Sequence, residues 1–421
     1  MKILFLKPIE NEKNSFVIDL IVMAAMLVAF FLILFNSLLL PSNTFGWIIG
    51  LYISVLPLFL FVTFFLENRK MDIYTIFIIV VLAYQSLTGL FGIFSGENPN
   101  AFSNASQLVS SLSLEVILYV CRSHSFRNGT LNVLLWGNIA LSILFIIIYF
   151  TDLAYVYGDS YLSWLTLNMG NSNETAIMLL GNLCVLTLTF FYFESASEKL
   201  FVSALALVVF IMLFETNSRL GLALAVLFLF AVLFNFKVRN WHIIICLVLP
   251  FLFYIIYNIA DQIVIFQSLT FLDKPVFSGR VELWRVLFNE FYDGIGTLLF
   301  GNYKNFQLEN SHNGFLSVLF NYGLLGILLY YISLFVFIFE LNDGNDSRRA
   351  KVAMYTVLTF LLISFTESAV VITGRNFCVF YMVAAVALKN EKDKRKPKPF
   401  YKQFNMLDKR CFLSDLGIKF V

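Results

Sequence analysis

Two short polar motifs in an otherwise apolar chain carry residues that could do chemistry: Ser278-Gly279-Arg280 and Ser311-His312-Asn313-Gly314. A guanidinium holds phosphate oxygens through a fixed fork of N–H donors. A neutral imidazole takes a proton from an attacking hydroxyl. Together they point to chemistry on a lipid-linked phosphate. A third group, Arg219, sits in the tight turn Thr216-Asn217-Ser218-Arg219-Leu220-Gly221. Arg285, Asn313, Arg375 and Glu309 are secondary candidates. Each has a plainer reading: an isolated histidine at a helix end is most often a capping or interfacial residue, and an arginine at a membrane surface often snorkels to headgroups.

The elements that must position these groups are membrane helices. The chain has 421 residues, 59% hydrophobic and 13% charged, against about half and a quarter in an average soluble domain. The apolar residues come in blocks long enough to cross a hydrocarbon layer of about 30 Å. Twelve spans are predicted, near 16–40, 45–66, 73–94, 105–121, 131–150, 174–193, 199–216, 219–236, 241–259, 314–339, 353–372 and 375–388. The fold class is all-α, a polytopic membrane protein. Residues 1–388 form one transmembrane domain with a large external loop over about 260–313, and 389–421 form a basic cytoplasmic tail. The first apolar block lacks a small-residue cleavage site, which predicts an uncleaved first span.

Lysine and arginine test that arrangement. With the N-terminus cytoplasmic, inside segments hold 23 of the 29 basic residues. The six outside are Arg219, Lys274, Arg280, Arg285, Lys304 and Arg375. This is the bias of a multi-pass plasma-membrane protein with both termini cytoplasmic. The basic run 389–398 is expected to face anionic lipid. His124 and His242 fall in cytoplasmic loops, so His312 is the one external histidine.

Within the large loop, Ser278 to Tyr292 has the period of an amphipathic helix. Trp284, Leu287, Phe288 and Phe291 form one face; Glu282, Arg285, Asn289 and Asp293 form the other. It is expected to lie on the outer membrane surface, with Ser278 as N-cap and Arg280 in the first turn. Gly294, Gly296 and Gly301 are expected to break the chain into turns. His312 is expected in the first turn of the tenth span, capped by Asn310 and Ser311, where the helix dipole favours the neutral imidazole. Glu115 lies inside the fourth span and implies function or a buried partner.

The five cysteines are scattered and read as apolar packing residues. The sequence has no external Asp-x-Asp pair, phosphate-binding glycine loop, His/Cys metal cluster or Gly-x-Ser-x-Gly elbow. A diphosphate would have to be neutralised by arginine. No metal, cofactor or nucleic acid is expected.

The order of motifs resembles a known family. Asn171-Ser-Asn173-Glu-Thr-Ala176 opens a span, then come Ser218-Arg219-Leu-Gly221, Ser278-Gly279-Arg280 with Trp284, Leu299-Phe-Gly301, Ser311-His312-Asn313-Gly-Phe-Leu316 and Tyr322-Gly323-Leu-Leu-Gly326. This resembles the O-antigen ligase and Wzy-type polysaccharide polymerase superfamily over roughly 170–340. The resemblance implies a metal-independent glycosyltransferase using a polyprenyl-diphosphate-linked oligosaccharide. By position, Arg219 and Arg280 would hold the diphosphate and His312 would sit by the acceptor hydroxyl.

The expected activity is polymerisation of lipid-linked repeat units of capsule, exopolysaccharide or O-antigen on the outer face of a bacterial cytoplasmic membrane. The partners would be the lipid-linked substrate and membrane lipid, with a flippase of the same pathway and a chain-length regulator as companions. The alternatives are a ligase that moves a finished glycan to another acceptor and, in a different class, a flippase for lipid-linked sugars. A flippase should carry charge along a cavity at bilayer depth, where Glu115 is the clear case.

Overall fold

A computed structural model describes residues 17–30 (except 25 and 29), 73–95, 120, 124, 126–151, 154–157, 163–167, 172–263, 270–271, 274–275, 280–291, 294–301, 312–342, 346–364 and 378–393. Its helices are α1 (Val17–Val28), α2 (Ile73–Ser95), α3 (Asn128–Tyr149), α4 (Ser172–Tyr192), α5 (Ala196–Glu215), α6 (Arg219–Phe234), α7 (Asn240–Asp261), α8 (Arg280–Phe291), α9 (Ile295–Phe300), α10 (Gly314–Asn342), α11 (Arg348–Ile363) and α12 (Cys378–Asp393). Antiparallel hairpins β1–β2 (Tyr155–Tyr157, Ser163–Leu165) and β3–β4 (Thr270–Phe271, Lys274–Pro275) lie in two connections.

Five helices are long and apolar enough to cross a membrane: Gly129–Tyr149, Ser172–Tyr192, Ala196–Glu215, Asn240–Ala260 and Gly314–Asn342. Val17–Val28, Tyr74–Thr88 and Arg219–Phe234 are shorter apolar helices. Large side chains such as Leu200, Leu207, Leu233 and Ile256 are exposed on the outside of the bundle, the pattern of a lipid-facing surface. This is an all-α membrane protein. The predicted windows 45–66 and 105–121 lie almost wholly outside the described residues, as does Glu115.

Helix α4 is the centre, packed by α3, α5, α6, α11 and α12. It is joined to α3 by an uncharged polar cluster. The Asn182 amide donates to Asn138 Oδ1 at 2.9 Å, and the Ser142 hydroxyl donates to Asn182 Oδ1 at 2.9 Å. All three residues are fully buried, and such bonds join helices where apolar contact with lipid and with protein is equivalent. The start of α1 is tied to the entry of α3 by buried Asp19, 3.1 Å from His124 Nε2.

Helix α10 is not one span. Gly323 breaks it with φ 70° and ψ −171°, a region open essentially to glycine alone. The chain then folds back. On a continuous helix Phe315 and Tyr331 would lie roughly 24 Å apart, yet their ring centroids are 5.3 Å apart. The short limb 314–322 therefore runs antiparallel to the long limb 324–342. The turn is held from α9 and α2. A Cβ on Gly323 would lie 2.2 Å from Leu299 O, and one on Gly301 (φ 71°) would lie 2.5 Å from the Asn321–Tyr322 backbone. The Tyr84 hydroxyl lies 2.7 Å from Tyr322 O and 3.1 Å from Leu299 O. Of the three expected turn-forming glycines, Gly294 and Gly301 flank α9 but Gly296 lies inside it.

The tail boundary also moves. Residues 389–393 continue α12, with Asn390 and Glu391 buried. Glu391 accepts hydrogen bonds from Tyr192 Oη at 3.2 Å and Ser347 Oγ at 2.9 Å. Hydropathy falls at Lys389, but the polar ends of α4 and α11 give these side chains partners, so the helix goes on. Residues 394–421 lie outside the described residues.

Candidate functional site

The ends of α3, α5, α7 and α11 gather with the starts of α4, α6, α8 and the short limb of α10. In the turn between α5 and α6, the Thr216 hydroxyl donates to Leu213 O at 2.7 Å and accepts from Ser218 N at 3.3 Å. Asn217 takes a left-handed conformation, φ 53°, which asparagine tolerates better than most residues. Arg219 is thereby the first residue of α6. Two residues on, Gly221 lets α6 close on α4: a Cβ there would be 3.0 Å from Ala176 Cβ.

Arg280 is the first residue of α8. The faces of this helix are those expected, with Trp284, Leu287 and Phe291 buried and Glu282, Arg285 and Asn289 exposed. Its partner differs from expectation. The apolar face packs on protein, where the sequence reading laid it on the membrane surface. Trp284 lies 5.3 Å from Tyr254 and 5.2 Å from Tyr257 of α7, and Phe288 lies 5.0 Å from Phe320 of α10 (ring centroids). An amphipathic period shows that a face will be covered and not by what. Trp284→Ala should cost about 3–5 kcal/mol and release α8. Limited proteolysis should then cut within 280–291 while the bundle stays intact.

These contacts bring the two arginines into one electrostatic neighbourhood. Arg219 opens α6 and Arg280 opens α8 at the same end of the bundle, and burial acts on Arg219 more strongly than the charge of Arg280 does. The groups come from different helices, so their approach is tertiary.

His312 is half-buried and left-handed, φ 50°, an uncommon conformation for a residue with a side chain and one that clusters at functional sites. It precedes α10 instead of lying in its first turn. The cap is Asn313, whose Oδ1 accepts from Leu316 N at 3.1 Å. The expected caps Asn310 and Ser311 lie outside the described residues. Asn313 is fully buried and also donates from Nδ2 to Pro250 O of α7 at 3.0 Å. Gly314 N donates to Ser364 O at the end of α11 at 2.8 Å, and a Cβ on Gly314 would meet Ser364 at 2.9 Å. Asn313 is therefore a positioning residue. Asn313→Ala should lower stability by about 2 kcal/mol through loss of cap and tether. Asn313→Asp should be worse, since it buries a carboxylate against a carbonyl. Thermal unfolding in detergent reads both.

Helices α6 and α11 have 16 residues each, about 24 Å, while α7 has 22, about 33 Å. All three meet at the opposite end, where Lys351 Nζ donates to Asn235 O at 3.3 Å, Tyr355 donates to Phe236 O, and Asn342 Nδ2 donates to Val238 O at 3.4 Å. Asn313 meets α7 at Pro250, seven residues from Tyr257 or about 10 Å along the helix.

Of the secondary candidates, Arg285 is exposed on the outer face of α8, and Glu309 and Arg375 lie outside the described residues, as do Ser278 and Lys304. Two features escaped the sequence reading. Tyr257 beside Arg219 was hidden in an apolar block, its only signal the Tyr254/Tyr257 spacing that puts both on one helix face. Glu215, at the end of α5, accepts from Tyr149 Oη at 2.8 Å and Tyr155 Oη at 2.7 Å. This fastens the β1–β2 hairpin over the α5 end. Burial first, then Glu215, raises the Tyr155 phenol above its ordinary range, so it stays a donor. A carboxylate four residues before Arg219 was the available signal.

Among the described residues no group of three or more His, Cys, Asp or Glu is arranged to hold a metal ion. No protein-family model matches this chain, and no curated protein is recognisably similar to it.

Proposed function

We propose that this protein polymerises lipid-linked oligosaccharide repeat units, as in the assembly of capsule, exopolysaccharide or O-antigen. It transfers a glycan from polyprenyl diphosphate to a sugar hydroxyl. The observation that carries this reading is that Arg219 and Arg280 open two different helices, α6 and α8, at the same end of the bundle. Two guanidinium groups gathered at one end are complementary to a polyanion. The leaving diphosphate is such a group.

In the reaction, an acceptor hydroxyl oxygen attacks the anomeric carbon of the donor sugar. The bond from that carbon to the diphosphate oxygen breaks, and its electron pair leaves with the diphosphate. Arg219 and Arg280 stabilise the charge that builds there. His312 takes the hydroxyl proton. Asn313 sets the position of His312 by fixing the start of α10.

The same reading gives an orientation. Lys199, Lys237, Arg239, Arg348, Arg349 and Lys351 lie at the end of the bundle opposite Arg219 and Arg280. By the rule that favours positive charge inside, that end is cytoplasmic and the site opens to the other side of a bacterial plasma membrane.

The test is made in vesicles with purified protein and polyprenyl-diphosphate-linked repeat units, in the presence of a chelator. Long glycan and free polyprenyl diphosphate are expected. His312→Ala should slow extension roughly 10²–10⁴-fold while single lipid-linked units persist. Transfer of one finished glycan to a different acceptor, without extension, would make the protein a ligase. Movement of units between leaflets without transfer would make it a flippase and end the enzymatic reading.

A further inference from the structure

Three cations surround the last turn of α4, at the end of the bundle away from Arg219. The Arg348 guanidinium carbon lies 4.7 Å from the Phe191 ring centroid, and that of Arg349 lies 4.7 Å from the Tyr192 centroid. Lys199 Nζ lies 5.8 Å from the Phe190 centroid. Three consecutive rings of the central helix thus each take a cation from a neighbouring helix start. Arg349 is fixed further, donating from Nε to Phe191 O at 2.8 Å.

Among the described residues, none of these three cations forms a salt bridge. Among the described residues, Asp346 pairs with Lys237 at 2.9 Å, and Glu391 takes its hydrogen bonds from Tyr192 and Ser347. Glu194 is exposed and Glu198 half-buried, and neither is within ion-pair distance of Lys199, Arg348 or Arg349. Helix stability does not explain the arginines either. They occupy the first turn of α11, which has no acidic residue, and a cation at a helix start is disfavoured by the dipole. Among the described residues one carboxylate, Glu391, acts on Tyr192 alongside Arg349, and the three cations outnumber it.

The setting of the cluster says where further negative charge comes from. The cluster lies at the ends of membrane-crossing helices, the depth of lipid headgroups. Beside Lys199 the outer face of α5 exposes Leu200 and Phe201, and Leu207 two turns on. This is cationic groups at headgroup level above an apolar helix face, the complement of an anionic phospholipid. We propose that the Lys199–Arg348–Arg349 cluster binds the phosphate of an anionic membrane phospholipid, with Arg348 and Arg349 as its principal donors and the acyl chains along α5. The proposal needs the membrane embedding and not the transferase reaction.

The experiment is native mass spectrometry of the full chain in neutral detergent, titrated with phosphatidylglycerol or with phosphatidylcholine of the same acyl chains. Phosphatidylglycerol should be retained preferentially. Arg348→Gln, an exposed change that leaves the fold intact, should weaken it roughly fivefold, and Arg348→Gln with Arg349→Gln roughly thirtyfold. The corresponding double Lys variant should keep most of the affinity. Equal binding by wild type and the double Gln variant would overturn the proposal. So would an equal loss in Arg239→Ala, an exposed arginine of the same end, because binding would then be diffuse. Displacement of phosphatidylglycerol by inorganic phosphate alone would make this a simple anion site and would also overturn it.

Discussion

Replacing Arg280 with alanine should lower the rate of glycan extension by about 10²–10³-fold, the usual loss when one preorganised donor to developing negative charge is removed. Arg219→Ala should lose a similar factor. The argument is electrostatic. Arg219 opens α6 and Arg280 opens α8 at one end of the bundle, so in the proposed reaction both guanidinium groups would serve the diphosphate. Each Lys variant should recover part of the loss, because an ammonium restores the charge but not the bidentate geometry. The double alanine variant should lose less than the product of the single losses, since both groups serve one polyanion and neighbouring sites couple. The loss should fall mainly on kcat, since charge grows on the diphosphate only as the bond breaks. Initial rates in vesicles at several donor concentrations give kcat and KM separately. Activity of Arg280→Ala within about threefold of wild type would remove Arg280 from the site.

Gly323→Ala should leave little folded protein. A Cβ there would sit 2.2 Å from Leu299 O, with backbone atoms on both sides of the clash. The positive φ adds strain of about 1–3 kcal/mol, and the whole change should exceed about 4 kcal/mol. Gly301→Ala should behave alike, since its Cβ would be 2.5 Å from the Asn321–Tyr322 backbone. Gly129→Ala is the control: nothing lies within 4 Å of its Cβ, and alanine favours the helix. Yield after gel filtration and melting in detergent read the series. A Gly323→Ala variant that melts within a few degrees of wild type would show that the fold-back of α10 is not rigidly held. The effect on function would be indirect, because the limb turned by Gly323 carries Asn313 and His312 at its base.

The helical character of the chain was legible because it is a local property. Hydropathy over about 20 residues fixes a span without reference to its neighbours, and α4, α5 and α7 fall within a few residues of their predicted windows. The two faces of α8 were legible for the same reason, since the 3.6-residue period is written in Trp284, Leu287 and Phe291. Its site on α7 and α10 was not, because a covered face does not name its cover. Helix α12 runs past the fall in hydropathy at Lys389 because composition registers polarity and not the hydrogen bonds that bury Glu391. The types of Asn310 and Ser311 place His312 in a first helical turn, whereas the bond from Leu316 N to Asn313 makes Asn313 the cap and leaves His312 before the helix.

From the sequence alone it follows that this is an α-helical membrane protein, that its basic residues are divided unequally between the connecting segments, and that Arg219, Arg280 and His312 lie at the entries of helices. All of these follow from residue type and short-range spacing. The tertiary structure decided the rest. It folded α10 back at Gly323, seated α8 on α7 and α10, and set the starts of α6 and α8 at one end of the bundle. Each depends on contacts between segments far apart in the chain, such as Tyr84 with Tyr322 or Trp284 with Tyr257. Such contacts are set by packing and leave no period in the sequence.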